Sequence, residues 1–357
     1  MKIAILNGGG DCPGLNAVTH GVVGAASKLG WETIGVRDGF EGLITPGNLI
    51  ELDPEETPNI MKMGGTVLGT ANKGPFSAKT GTGKVRQLPK NLLAEVKASM
   101  EAEKINSLVA VGGDGTLTAA LQFHEAGIPI VGVPKTIDND LDATAMTFGF
   151  DSAVTCVVDA LDRLHTTAVS HKRVMVLEVM GRHAGWIALF GGLGGGADVI
   201  LIPEIGFDIK QVAAAVEARE ARAKHSTVIV VAEGAKQKNG RKLYRSTAGA
   251  GEHRLGGLGE MVAEKVGELT GKETRSVTLG HLQRGGSPTS WDRILAIRFG
   301  VHAVRLLKRR HFGRMVNYHS YEVGDAPIAD AVDQLRTVNP KGQIVDAARS
   351  VGISFGD

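Results

Sequence analysis

The sequence predicts an α/β protein with mainly parallel sheets, and three observations carry that prediction. Short runs rich in Val and Ile recur along the chain, nearly unbroken by polar residues, as in strands buried on both faces. Segments with helical spacing of apolar residues lie between them, and such alternation packs as parallel sheets with right-handed crossovers. Glycine supplies 49 of 357 residues, about twice the usual share of about 7%, with no collagen period or low-complexity tract to absorb the excess.

In chain order the expected strands are IAIL near residue 3, TIGV near 33, SLVAV near 107, IPIVGV near 128, RVMVLEV near 173, DVILI near 198 and TVIVVA near 227. Between the first two, Ala17, Val18, Val22, Ala25, Ala26 and Leu29 recur at helical spacing, and Gly30 reads as the stop. Leu117 to Ala126 repeats the scheme and closes at Gly127. The glycine loops follow the carboxyl ends of strands, where open parallel sheets bind ligands. Late in the chain RLLKRRHFGR reads as a basic helix, and the tail beyond Pro327 shows no motif. Length alone suggests about two domains, with a break near residue 150, where a second strand-helix series begins.

Lys plus Arg total 40 and Asp plus Glu 38, a net charge of +2 that argues against a dedicated nucleic-acid binder. Disorder and fibre are excluded by 43% hydrophobic and 22% charged residues. Cys12 and Cys156 are too few for a disulfide framework and fit a reducing compartment. Without a signal-peptide pattern or an apolar run long enough to span a bilayer, the expectation is a soluble, cytoplasmic protein.

Two glycine-rich segments are decoys. AKTGTGKVRQ lacks the first glycine of a phosphate loop and has Val85 where a hydroxyl would meet Mg²⁺. GGLGGGADVILIP precedes a strand, the wrong order for a dinucleotide fingerprint, and reads as a flexible loop. The stronger signals open from strands into helices. IAILNGGGDCPGLNA offers backbone N–H groups and a helix N-terminus to a phosphate, with Cys12 incidental. SLVAVGGDGTLTAALQ adds Asp114, whose carboxylate beside a phosphate cradle suits Mg²⁺. In VPKTIDND one of Asp138 and Asp140 could take a hydroxyl proton while the other supports the metal, with an Asx-type turn as the plain alternative. Lys135 could reach a phosphate as a point charge. Arg173, Arg182, Arg275, His281 and Arg284 flank apolar segments and together could bind an anionic substrate, and Glu233 could accept from a sugar hydroxyl. His171 and His183 read as packing or surface residues.

GGGDCPGLNA, GGDGT, PKTIDND, VMGRHAGW, VAEGA and LGHLQRGGSP stand in the order and spacing found in phosphofructokinases, and the chain resembles that family over roughly residues 1–300. The resemblance implies two Rossmann-like three-layer α/β domains with the active site between them. Residues 1–149 with about 283–333 would take the donor and Mg²⁺, and residues 150–282 with about 334–357 would take fructose 6-phosphate. It implies Mg²⁺-dependent transfer of the ATP γ-phosphoryl to the 1-hydroxyl of fructose 6-phosphate, a glycolytic step, by a homodimer or homotetramer with shared sites. By the same resemblance Asp138 is the base, Asp114 and Asp140 carry Mg²⁺, and Thr136 and Arg182 support the phosphoryl group in transfer. Arg173, Arg275, His281 and Arg284 contact the sugar phosphate beside Met180, Gly181 and Glu233, and two of the arginines cross from a neighbouring subunit. Gly10, Asn72, Lys73, Asp114, Gly115, Thr116 and Lys135 fall on the donor side.

Four positions depart from the bacterial ATP enzymes of that family. Lys135 replaces a glycine and is typical of pyrophosphate users and a mixed branch. Gly115 matches ATP users, where pyrophosphate enzymes place a blocking Asp. Asn72 replaces a donor-bridging Arg, for which Lys73 is a substitute. His20 and Gly24 replace effector-site arginines, which argues against control by ADP and phosphoenolpyruvate. Phe40 could stack on adenine or belong to the core. The open position at 115 weighs more than Lys135, so ATP is the expected donor and pyrophosphate the alternative. A non-catalytic sugar-phosphate-binding subunit is the alternative of another class, which the paired Asp114 and Asp138 oppose.

Overall fold

The computed structural model describes residues 1–71, 74–79, 83–238, 240, 244–245 and 254–357. The first half of the chain runs β1 (Lys2–Asn7), α1 (Leu15–Ser27), β2 (Glu32–Val36), β3 (Leu49–Glu51), α2 (Thr57–Ile60), α3 (Lys90–Ala102), β4 (Ser107–Gly112), α4 (Asp114–Glu125), β5 (Ile130–Pro134) and α5 (Phe150–His171). There follow β6 (Val174–Val179), α6 (Trp186–Gly194), β7 (Val199–Leu201), α7 (Ile209–Glu220), β8 (Thr227–Ala232), β9 (Tyr244–Arg245), β10 (Arg254–Leu255), α8 (Leu258–Thr270) and β11 (Thr274–Thr278). The chain closes with α9 (Ser290–Arg309), β12 (Arg314–His319), β13 (Glu322–Pro327), α10 (Ile328–Asp333) and α11 (Gln343–Ser350). Every apolar run singled out in the sequence is a strand.

The chain divides into two compact units. One comprises Met1–Ile137, Leu141–Ser152 and Arg284–Leu335, the other Asp138–Asp140, Ala153–Gln283 and Arg336–Asp357.

The first unit holds a seven-stranded sheet in the order β13-β12-β5-β4-β1-β2-β3. Its five central strands are parallel, and antiparallel β3 and β13 close the two edges. Alternate residues of the parallel strands face one core: Ala4 and Leu6, Leu108 and Ala110, and Ile130 pack with Leu92 and Val96 of α3 and Leu117 and Phe123 of α4. Phe40 belongs to this core, stacked on Phe123 at 4.6 Å and beside Phe76 at 5.8 Å, so of its two expected roles the structure gives it the packing one.

The second unit holds a four-stranded parallel sheet, β11-β6-β8-β7, with the two-residue pairing of β9 and β10 apart from it. Val174, Val176, Ile229 and Val231 bury one face against Val212 and Val216 of α7 and Val262 and Val266 of α8. Buried Glu178 in β6 accepts from the N–H of Gly259 at 2.6 Å, placing a carboxylate at the α8 N-terminus, where the helix dipole favours it.

Two expectations are corrected. The glycines of GGLGGG are not a flexible loop, because α6 runs through Gly194. A Cβ at Gly191 would lie 2.5 Å from Cγ1 of Val157, so the helix needs glycine to pack on α5. The basic helix stops at Arg309, since Arg310 turns left-handed at φ 59° and Arg314 begins a strand. The tail beyond Pro327 forms two helices, α10 and α11. No helix among the described residues is long and apolar enough to cross a membrane.

Candidate active site

In the first unit, three neighbouring parallel strands, β1, β4 and β5, end at the same sheet edge, and their following loops are tied together. Gly8 N–H donates to the Val111 carbonyl at 2.8 Å, and Lys135 N–H donates to the Gly112 carbonyl at 3.0 Å. Lys135 is buried, and its ammonium donates to the Gly10 carbonyl. The cation expected at a donor phosphate is thus also a brace for the first glycine loop. Arg284 supports the same loop. Its Nη1 donates to the Asp11 carbonyl at 3.1 Å, and a Cβ on Gly10 would fall 2.8 Å from that nitrogen. Cys12 is fully buried here, and burial pushes its thiol up to about 12, which fits the incidental role expected of it.

Asp114 opens α4. Burial is the larger influence and raises its pKa, while the ammonium of Lys79, 3.1 Å from Oδ1, pulls it back. The other oxygen, Oδ2, is buried with no hydrogen-bond partner. Lys79 also donates to the Val332 carbonyl at 2.9 Å. Gly115 follows, and a Cβ there would lie 2.7 Å from the Lys79 carbonyl oxygen. The glycine therefore admits the 74–79 segment. Thr116 is buried, its side chain filling the space left by Gly8 and Gly112. Thr136 accepts from the Thr147 hydroxyl through its carbonyl at 2.6 Å. Asn72 and Lys73 lie outside the described residues.

The orphaned Oδ2 of Asp114 fits a magnesium ion that would arrive with phosphate. No cluster of three His, Cys, Asp or Glu side chains that could hold a metal exists among the described residues, so phosphate oxygens and water would complete the shell. His20, at the expected effector position, bonds Thr57 Oγ1 through Nδ1 at 3.1 Å, and burial lowers its pKa.

In the second unit, β6 and β8 end side by side and bring Met180, Gly181, Arg182 and Glu233 to one edge. Glu233 N–H donates to the Val179 carbonyl at 2.9 Å, and Gly234 N–H to the Gly181 carbonyl at 3.1 Å. Gly181 is left-handed at φ 141°, which sets the turn that aims Arg182. Met180 N–H donates to buried Gln283 at 3.3 Å, and exposed His281 follows the end of β11 at this same edge. Asp138, Asn139 and Asp140 group with this unit. Asn139 is buried and left-handed at φ 50°, the turn between the two half-buried aspartates.

Arg173 and Arg275 are elsewhere. Arg173 precedes β6 and Arg275 is the second residue of β11, so both stand at the amino end of the sheet. Seven residues of extended chain separate Arg173 from Met180, about 20 Å at the usual strand rise. Glu273 bridges the two, 2.9 Å from Nε of Arg173 and 2.6 Å from Arg275, and the arginine beside it holds its carboxyl below the usual range. The Arg173 contact is a charge contact, because Nε makes no aligned hydrogen bond. The structure thus gathers one part of the expected sugar-phosphate set and sets Arg173 and Arg275 apart from it.

Sequence reasoning missed Lys79, whose only signal was a place in a rejected phosphate-loop pattern, and Arg336. The latter donates to the carbonyls of Asn139 and Asp140 from the motif-free tail.

A family model described as phosphofructokinase matches residues 2–307. An "ATP-dependent 6-phosphofructokinase" of Chloroflexus aggregans is 49% identical over 357 residues, covering all of this chain and 98% of the relative. A "pyrophosphate--fructose 6-phosphate 1-phosphotransferase" of Streptomyces coelicolor is 45% identical over 360 residues, covering both chains completely. Among solved structures, phosphofructokinase from Saccharomyces cerevisiae is similar with a TM-score of 0.81 and 29% identity, over 93% of this chain and 45% of that one.

Proposed function

The chain belongs to the phosphofructokinase family, and on that premise we propose that it is an ATP-dependent 6-phosphofructokinase. It transfers the γ-phosphoryl of ATP to the 1-hydroxyl of fructose 6-phosphate, breaking the bond to the β-phosphate oxygen and giving fructose 1,6-bisphosphate and ADP, as a glycolytic enzyme of the cytoplasm. The observation that carries this reading is Asp114, a buried carboxylate with one unpartnered oxygen at the head of a helix, beside tied glycine loops. Lys79 holds one oxygen of this carboxylate, and the buried, unpartnered one suits a divalent cation carried in with phosphate.

Asp138 accepts the 1-hydroxyl proton as the oxygen attacks the phosphorus. Arg182 and Thr136 meet the charge that spreads over the transferring group, where positioning and positive charge matter most. Met180, Gly181, Glu233 and His281 hold the sugar phosphate. Asp114 and Asp140 are the residues that would hold Mg²⁺, which would neutralise donor-phosphate charge. Gly10, Gly115 and Thr116 form the donor wall, and the family pattern assigns Asn72 and Lys73 to donor binding as well. Lys135 does not by itself argue for pyrophosphate, because its ammonium already has the Gly10 carbonyl. No carboxylate at 115 opposes a nucleotide.

The enzyme is a homodimer or homotetramer. Arg173 and Arg275 stand a strand length from Arg182 within one chain, so their contact with sugar phosphate is made in a neighbouring copy's site. Arg284 completes that set in the family pattern, here in addition to bracing the Asp11 carbonyl.

A second reading, pyrophosphate as donor, is favoured by the 45% identical relative that carries that name. Initial rates with fructose 6-phosphate and Mg²⁺, comparing ATP with pyrophosphate at matched concentrations, decide between them. Turnover with ATP alone is the expected result. Turnover with pyrophosphate alone overturns the donor, and fructose 6-phosphate binding without turnover overturns the enzyme in favour of a binding subunit.

A further inference from the structure

We propose that Arg336 is a positioning residue for the Asp138–Asp140 loop; the inference rests on the reading of Asp138 as the base. Arg336 lies beyond residue 307, where the family match ends, in the tail that carries no sequence motif. Its backbone N–H donates to the Asp140 carbonyl at 2.9 Å, and its Nη1 donates to the Asn139 carbonyl at 3.2 Å. Both acceptors belong to the turn that separates the two aspartates, and the left-handed, buried Asn139 is the residue whose peptide orientation sets where each side chain points.

Arg336 is itself held on two sides. Its guanidinium lies over the Trp186 ring, 4.4 Å from the centroid, and its carbonyl accepts from Trp186 Nε1 at 2.9 Å. Trp186 begins α6 and ends the VMGRHAGW segment that carries Arg182. Two residues on, Val338 N–H donates to Glu204 at 2.8 Å, and the same carboxylate receives the N–H of Gly185 at 3.0 Å. The tail therefore ties the aspartate loop to the start of α6 through one arginine. A planar guanidinium suits the task, since it can donate in its plane while its face rests on an indole. Arg336 touches no reacting atom in this scheme; it fixes the base.

The test is Arg336→Ala in the full chain, read by kinetics and by amide hydrogen exchange. A misplacement of about 1 Å can cost about a hundredfold, so kcat is expected to fall roughly 10- to 100-fold with KM for fructose 6-phosphate and donor little changed. Added guanidinium is expected to restore part of kcat. Exchange at residues 138–141 is expected to quicken while the middle of α5 keeps its protection, a readout that needs no turnover and so separates failure of this inference from failure of the proposed activity. If the alanine variant does not fold, Arg336→Met keeps bulk over Trp186 and the backbone donor to Asp140 but removes the guanidinium donor to Asn139, and the same loss of kcat is expected. Wild-type kcat in the folded variant, or unchanged exchange at residues 138–141, overturns the proposal.

Discussion

Replacing Gly115 by alanine tests what the open position beside Asp114 is for. If glycine serves only to spare a nucleotide a blocking acid, a neutral methyl is harmless to the fold. The structure predicts otherwise. The added Cβ would sit 2.7 Å from the Lys79 carbonyl oxygen, inside any ordinary contact, and the obstacle is backbone. Lys79 cannot retreat easily, because its ammonium is held by Asp114 at 3.1 Å and by the Val332 carbonyl at 2.9 Å. Overpacking of this kind costs about 1–3 kcal/mol. Alanine recovers up to about 1 kcal/mol of helix propensity, less in the first turn. The net expectation is destabilisation of about 1–2 kcal/mol, a urea midpoint lower by roughly 0.5 M at a slope near the upper end of the usual range. Loosening Lys79 also removes the cation that offsets the buried Asp114 charge, so KM for ATP is expected to rise. Urea unfolding and ATP kinetics on the purified variant check both. A midpoint equal to or above that of the wild type refutes the packing argument and leaves the donor argument alone.

Asp138→Ala should lower kcat by about 10²–10⁴-fold with fructose 6-phosphate binding retained by calorimetry, and unchanged turnover removes Asp138 from the base role. Arg275→Ala should raise KM for fructose 6-phosphate, and at subsaturating fructose 6-phosphate mixing it with Asp138→Ala protein under subunit exchange should give more activity than the two variants sum to alone; no gain speaks against shared sites. Burial raises the Asp292 carboxyl to about 6 although Ser152 donates to it from both N–H and hydroxyl at 2.8 and 2.6 Å. The folded chain thus holds a proton there that the unfolded chain releases near 3.8, and stability falls as pH rises from about 4 to about 6. At about 1.4 kcal/mol per pH unit of difference, this group removes about 3 kcal/mol by pH 7. Asp292→Asn keeps an acceptor for Ser152 and should flatten that part of the curve in urea melts at successive pH values; an identical slope sinks the assignment.

The buried strands were legible because each is an apolar run with no competing pattern. Strands β11, β12 and β13 were not, and their residues show why. β11 reads TRSVT, and from Arg275 to Thr278 its side chains are exposed, so no hydrophobic signal exists to find. β12 and β13 pair as RMVNYH with EVGDAP, where Gly324 and Pro327 read as breakers but stand at a sheet edge, which tolerates them. The glycines of α6 misled for the opposite reason. Propensity penalises glycine in a helix, yet only glycine lets α6 approach Val157, and that neighbour is more than thirty residues away in sequence. The phosphate-side loops were legible since strand, glycine and helix follow one another locally. Lys79 and Arg336 act on residues distant in sequence, Arg336 nearly two hundred positions from Asn139, and nothing local marks either.

One geometric fact was open to the sequence and needed only the direction of a strand. Arg173 stands immediately before VMVLEV and Arg182 shortly after it, so a single six-residue strand parts them. A parallel sheet repeats this for its neighbour: β11 is in register with β6, Arg275 opposite Met175 and Thr278 opposite Glu178, so Arg275 shares the amino edge and His281 the carboxyl edge. Ligands of open parallel sheets gather at the carboxyl edge, which accounts for Arg182, Glu233 and His281 but leaves two cations about 20 Å away. A sugar phosphate is too short to span that distance. The proposed use of Arg173 or Arg275 together with Arg182 therefore calls for two copies of the chain, which the subunit-exchange experiment checks.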